Sequence, residues 1–271
     1  MPSAERLFCE PESVCPLQIH LCWILQVTYE FQKARSVRDQ QFSRGQVEWA
    51  LWKLSTIDLP AGDEPISAFR ARVKHLLQLD RAGAISGNPA YPIPVEHALV
   101  SEEARGKGVD AAFRAFDAFC LAIALDFLRA GFKQSEVLLL MLHLRPRLEE
   151  PFAKVLRAPP TLRSRLSGKT PPQNRERASD DDRRVFLVIQ RVEFSEAFPA
   201  FGALTAARKK ASVFQEPVFC MGVEKLRDQL DLMDHFFRRA IVLEIAHTAA
   251  TIVEFLHQAP LKRRGRPSKS V

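Results

Sequence analysis

The chain has 271 residues, 46% hydrophobic and 26% charged, with a formal net charge of +7. These are the proportions of an ordinary soluble globular protein with a substantial core, in one large domain or two small ones. They exclude a miniature scaffold held by disulfides. Only 11 Gly stand beside long apolar periodic runs, which predicts helices rather than many tight β-turns. The cysteines Cys9, Cys15, Cys22, Cys120 and Cys220 are odd in number and contain no Cys-x-x-Cys. Reduced thiols in a cytoplasmic compartment are therefore expected.

Residues 1–40 form a poorly defined N-terminal segment with one short helix. Leu17 to Phe31 is apolar but is interrupted by Gln18, His20, Gln26 and Glu30, too short and too polar for a membrane span. Glu5, Glu10 and Glu12 precede it where a signal peptide carries positive charge. No membrane association is expected. Cys9, Cys15, His20 and Cys22 match no familiar zinc spacing, and no metal is expected there.

A helical domain is expected over 41–157. Ser43 is an N-cap with Gln46 as its capping-box partner, and Phe42 and Val47 form the hydrophobic staple. Val47, Ala50, Leu51 and Leu54 make an apolar stripe, with Trp49 and Trp52 on another side. A second helix runs from about Pro65 to Asp80, with Ile66, Phe69, Val73, Leu76 and Leu77 inward. Arg70, Arg72 and Lys74 lie elsewhere on it and are candidates for contact with nucleic acid. A helix-turn-helix is one reading. However, the loop from Thr56 to Glu64 is longer than a tight turn and is acidic, which favours a plain helical hairpin.

Residues 83–108 carry Gly-Asn-Pro, Tyr91-Pro92-Ile93-Pro94 and Gly106-Lys107-Gly108, and read as loop. Val109 stands where a phosphate loop needs Ser or Thr, so nucleotide binding is rejected. A wide apolar stripe predicts a mostly buried helix over 109–130, stopped by Gly131. A helix from about Gln134 to Leu144 follows, whose consecutive leucines suit core or a subunit interface better than base contacts. Pro146 is expected to break it before a further helix over Arg147 to Arg157.

From Ala158 to Arg184 the composition becomes basic and proline-rich, which predicts a flexible linker. Asp180, Asp181 and Asp182 at its end read as a solvated turn. The run from Val185 to Phe194 is rich in β-branched residues, although Val185, Val188, Ile189 and Val192 also fit a helical face. A strand paired with Val218-Phe219-Cys220 is the preferred reading. One long helix is then expected over Val223 to His257. It carries Leu226, Leu230, Met233, Phe237, Ile241, Ile245, Ile252 and Leu256, and offers a seam for a homodimer. The fold class is mainly α: a bundle-like body with a small two-stranded β element, in which 185–259 packs on the helical domain.

Pro260 ends that helix and releases a disordered basic tail over 260–271. Lys262, Arg263, Arg264, Arg266 and Lys269 supply five of the seven net charges, so the body is close to neutral. In Arg264-Gly265-Arg266-Pro267, Gly265 lacks a Cβ and allows close approach to a groove floor. The flanking guanidinium groups can donate to the adenine N3 and thymine O2 acceptors of the minor groove. Pro267 fixes its own φ and biases Arg266 away from the helical region. Lys262, Arg263 and Lys269 lie within reach of phosphates. This stretch resembles an AT-hook. The resemblance covers about ten residues and implies binding to A·T-rich double-stranded DNA; the helical body carries no such likeness.

The chain contains neither His-Glu-x-x-His nor Gly-x-Ser-x-Gly, and shows no cofactor loop. The resulting expectation is a non-enzymatic, DNA-associated protein without cofactors. Its role would be transcriptional or nucleoid-type regulation, in the cytoplasm or, in a bacterium, on the nucleoid. The alternative is a helical interaction scaffold with an incidental basic tail.

Overall fold

The structure is a computed structural model and describes residues 40–60, 62–82, 97–101, 112–158, 163, 183–192, 213–214, 216–232 and 240–261. The expected N-terminal segment, nearly all of the linker, the Asp180–Asp182 run and the tail from Lys262 onward lie outside these residues. Six helices and two small antiparallel sheets are seen among the described residues, so the fold is mainly α.

Strand β1 (Gln41–Phe42) leads into helix α1 (Arg44–Ser55). The capping box forms as its sequence predicts: Gln46 N donates to Ser43 Oγ (3.4 Å) and Ser43 N donates to Gln46 Oε1 (3.0 Å). Phe42 and Val47 are both buried beside it, completing the staple. The following loop is braced by Trp52 Nε1 donating to Gly62 O (2.9 Å) and by an ion pair between Lys53 and Asp63. Helix α2 (Ser67–Arg81) buries Phe69, Val73, Leu76 and Leu77, as its periodicity requires.

Strand β2 (Phe113–Arg114) pairs antiparallel with β1, placing Phe113 opposite Phe42. Helix α3 (Ala115–Arg129) therefore starts later than the expected residue 109. Asp117 fixes the start by accepting from the backbone N–H of Arg114 (2.8 Å). Gly131 ends α3 at φ 87°, where Phe132 N donates to Phe127 O (3.1 Å) and Gly131 N to Leu128 O (3.1 Å). This is a Schellman stop, which only glycine adopts without strain.

Helix α4 (Gln134–Arg157) corrects the expectation of a break at Pro146: it runs through Pro146 and Pro151 without interruption. A proline removes one backbone bond and crowds the preceding turn. Here Leu144 before it and Leu148 and Phe152 after it are all buried, and that packing outweighs the local cost. The leucine run of α4 is core of this chain.

The C-terminal region is a four-stranded sheet rather than a two-stranded element. Strand β3 (Val185–Val192) is its centre, and it pairs with β4 (Val213–Phe214) and β5 (Val218–Met221) on one side. The β3–β5 pairing is the expected one, with Phe186 opposite Cys220 and Val188 opposite Val218. Gly222 (φ 86°) then turns the chain into α5 (Gly222–Asp231).

The single long helix expected over 223–257 does not form. Strand β6 (Ala240–Glu244) interrupts it and pairs with the other side of β3, before α6 (Ile245–Gln258) begins. The β-branched run Ile241-Val242 suits that open side of β3. The continuous helical seam on which a dimer was expected is therefore lost.

Strands β5 and β6 are both antiparallel to β3, so they are parallel to each other, and α5 is the crossover between them. Side chains alternate across β3 with period two. Val185, Leu187 and Ile189 enter the main core, while Phe186 and Val188 meet Cys220, Val223 and Leu226 beneath α5. Helix α6 returns into the bundle, burying Ile245, Ala249, Ile252 and Leu256 in the same core as α1, α3 and α4.

Candidate functional site

Three features carry charge worth weighing. The first is the root of the basic tail. Helix α6 ends with Phe255 edge-on to Trp49 (6.4 Å) and His257 edge-on to Phe42 (6.2 Å). Its last turn is thus clamped against β1 and α1. Pro260 and Leu261 follow as the last described residues, and Leu261 is 82% exposed. Lys262, Arg263, Arg264, Gly265, Arg266, Pro267 and Lys269 themselves lie outside the described residues.

The second feature is α2. Arg70, Arg72 and Lys74 are all exposed, but they do not converge. At 3.6 residues per turn, Arg70 and Lys74 share one flank, with Arg81 two turns further along it. Arg72 lies on the opposite flank. Arg70 Nη2 also contacts Glu64 Oε2 (2.9 Å), and both side chains are about half exposed, so the pair is worth under about 1 kcal/mol. Arg81 was not singled out from sequence; its spacing of seven from Lys74 was the available signal. The acid on this helix, Asp80, is turned inward, so the exposed face of α2 is basic.

The third is a buried charged node that the sequence reading missed. Arg145 of α4 pairs with Asp117 of α3 at 2.6 Å, with side chains only 7% and 2% exposed. The same Nη2 donates to Ser101 Oγ (2.8 Å), Nη1 donates to Ala98 O (3.3 Å), and the guanidinium lies over the Phe116 ring (5.2 Å). Ser101 Oγ donates to Asp117 Oδ1 (2.6 Å). From the other side, Asp80 accepts from Ala98 N (2.7 Å) and Leu99 N (3.0 Å). Burial pushes the Asp80 carboxyl above its ordinary range, and these two bonds pull in the opposite direction.

Asp80, Asp117 and Arg145 thus fasten residues 97–101 to three helices. Both Asp117 oxygens are occupied, one by Arg145 and Ser101 and the other by Arg114 N. Beside the node, the Cys120 thiol is fully buried and its pKa is pushed up to about 12 by that burial. A thiol held protonated is a poor nucleophile. The node reads as structural. In native protein, alkylation by iodoacetamide near pH 8, followed by peptide mass mapping, is expected to leave Cys120 unmodified until the chain unfolds. Modification at the rate of a free thiol would contradict its burial.

Among the described residues no group of three His, Cys, Asp or Glu could hold a metal ion, and no helix is long and apolar enough to cross a membrane. Cys9, Cys15, His20, Cys22 and the Gly106-Lys107-Gly108 run lie outside those residues. No protein-family model matches the chain, and no curated protein or solved structure shows significant similarity to it.

Proposed function

We propose that this is a non-enzymatic, DNA-associated protein whose tail binds the minor groove of A·T-rich DNA and whose helical body presents that tail. The observation that carries this reading is Arg264-Gly265-Arg266-Pro267 flanked by Lys262, Arg263 and Lys269, on a body close to neutral. Regulation of transcription or organisation of a nucleoid is the role this implies, in the cytoplasm or, in a bacterium, on the nucleoid. The clamped last turn of α6 supports it, because a short hook is of use when its attachment point is defined.

The test is fluorescence anisotropy with an A·T-rich and a G·C-rich duplex, at two salt concentrations, for the full chain and a chain ending at Ala259. The full chain is expected to prefer A·T, and the shortened chain to lose the preference. Equal binding by both chains, or none by either, would sink the reading.

The α2 flank is the proposed secondary contact. Lys74→Ala with Arg81→Ala is expected to weaken all duplexes alike and to lower the slope of log K against log salt by up to about 2. Stability should change by less than about 0.5 kcal/mol, since both side chains are exposed. An unchanged salt slope removes α2 from the interface.

An interaction scaffold is the second reading, favoured by one observation. Ile57, Leu59 and Ile66 are 47%, 64% and 55% exposed around the braced loop between α1 and α2. Solvated singly such residues mean little; three around one ordered loop suit a protein contact.

A further inference from the structure

We infer that β6 is a self-pairing edge: two copies of this chain join antiparallel through Ala240–Glu244, extending the sheet across a two-fold axis. Among the described residues β6 pairs with β3 alone, and no backbone bond reaches its outer side. Natural edge strands are commonly guarded by proline, lysine, a bulge or an inward charge. This one is Ala-Ile-Val-Leu-Glu, with an unbroken five-residue register against β3 and no such guard. Its one charge, Glu244, is held by Arg184 through two contacts (2.6 and 2.8 Å). The opposite edge of the sheet is divided between β4 and β5, so β6 is the longer continuous edge.

The strand is complementary to itself. Antiparallel pairing centred on Val242 places Val242 opposite its own copy, Ile241 opposite a second Leu243, and Ala240 opposite a second Glu244. Ile241 and Leu243 lie on the face that meets the main core. Val242, 38% exposed, lies on the other face. Every facing pair is apolar or places the carboxylate against alanine, and no like charges meet. A second copy is thus a partner that satisfies both the backbone and the side-chain pattern of this edge. Five residues of strand fall short of the area of a tight interface, so the dimer belongs to the weak, concentration-dependent class. This pairing stands independently of what the tail binds. Where both hold, one dimer brings two tails to one duplex and raises affinity through effective concentration.

The test is sedimentation of the full chain from about 2 to about 200 µM, where mass action separates monomer from dimer. The wild type is expected to shift from monomer toward dimer over that range. Val242→Lys places two cations opposite each other at the two-fold axis and is expected to weaken association at least about tenfold. Circular dichroism checks that this variant stays folded. Val242→Cys supplies a second measurement, because facing Cα atoms across an antiparallel pair lie about 4.5–5.5 Å apart, within disulfide reach. Mild oxidation is expected to join two copies through the introduced thiols, identified by peptide mapping. A wild type that stays monomeric throughout, a dimer that Val242→Lys leaves intact, or a crosslinked product that avoids the introduced thiol would each overturn the proposal.

Discussion

Arg145→Met is expected to lower the unfolding free energy by about 3–5 kcal/mol, measured by urea denaturation. Methionine fills much of the same space, so a cavity is not the main cost. The cost is electrostatic: Asp117 is left as a buried carboxylate without its cation, holding only Ser101 Oγ and Arg114 N. Ala98 O and Ser101 Oγ also lose a donor each, and the 97–101 segment loses its attachment to α4. Adding Asp117→Asn to Arg145→Met removes the stranded charge, so the double variant should be more stable than the two single losses predict. A single-variant loss under about 1 kcal/mol would mean that the node does not hold the bundle together. Since α3 and α4 also cradle α6, the clamp at the tail root should loosen with it.

This node shows why part of the molecule was legible in sequence and part was not. Local chemistry was readable: Ser43 with Gln46, Phe42 with Val47, and Gly131 as a helix stop all act over a few residues. The β3–β5 pairing was readable because β3 is rich in β-branched residues, Val185, Val188, Ile189 and Val192. Arg145 and Asp117 are 28 residues apart and meet only when α3 and α4 pack, so no local pattern links them. The one sign was a charged residue on each of two otherwise apolar helix faces.

Two other expectations failed for separate reasons. Ile241 and Ile245 lie four apart and fit a helix, yet the first is in β6 and the second opens α6. Both β6 and α6 turn apolar residues toward the same core, so a period-based reading joins them. At Pro146 local propensity was overruled by the burial of Leu144, Leu148 and Phe152. The basic candidates Arg70, Arg72 and Lys74 are exposed, and the buried stripe through Phe69, Val73 and Leu76 sets Arg72 on the flank opposite the other two.

Gly265→Val carries the second large effect. It leaves all five tail cations in place, so attraction to phosphate should persist within about twofold. What it removes is the bare backbone at the centre of Arg264-Gly265-Arg266. A branched Cβ between the two arginines cannot lie on the floor of a groove about 6 Å wide. The guanidinium groups would then be lifted from the adenine N3 and thymine O2 acceptors, and preference for A·T over G·C duplex should fall at least about tenfold. Because charge is constant, this variant separates groove reading from simple electrostatic adhesion, which truncation of the whole tail does not.

The most direct measurement is therefore the ratio of A·T to G·C affinity for the full chain and for Gly265→Val, by anisotropy at one moderate salt concentration. The minor-groove account predicts a clear A·T preference in the first that collapses in the second, with G·C binding nearly unchanged. Equal ratios in the two proteins would contradict it.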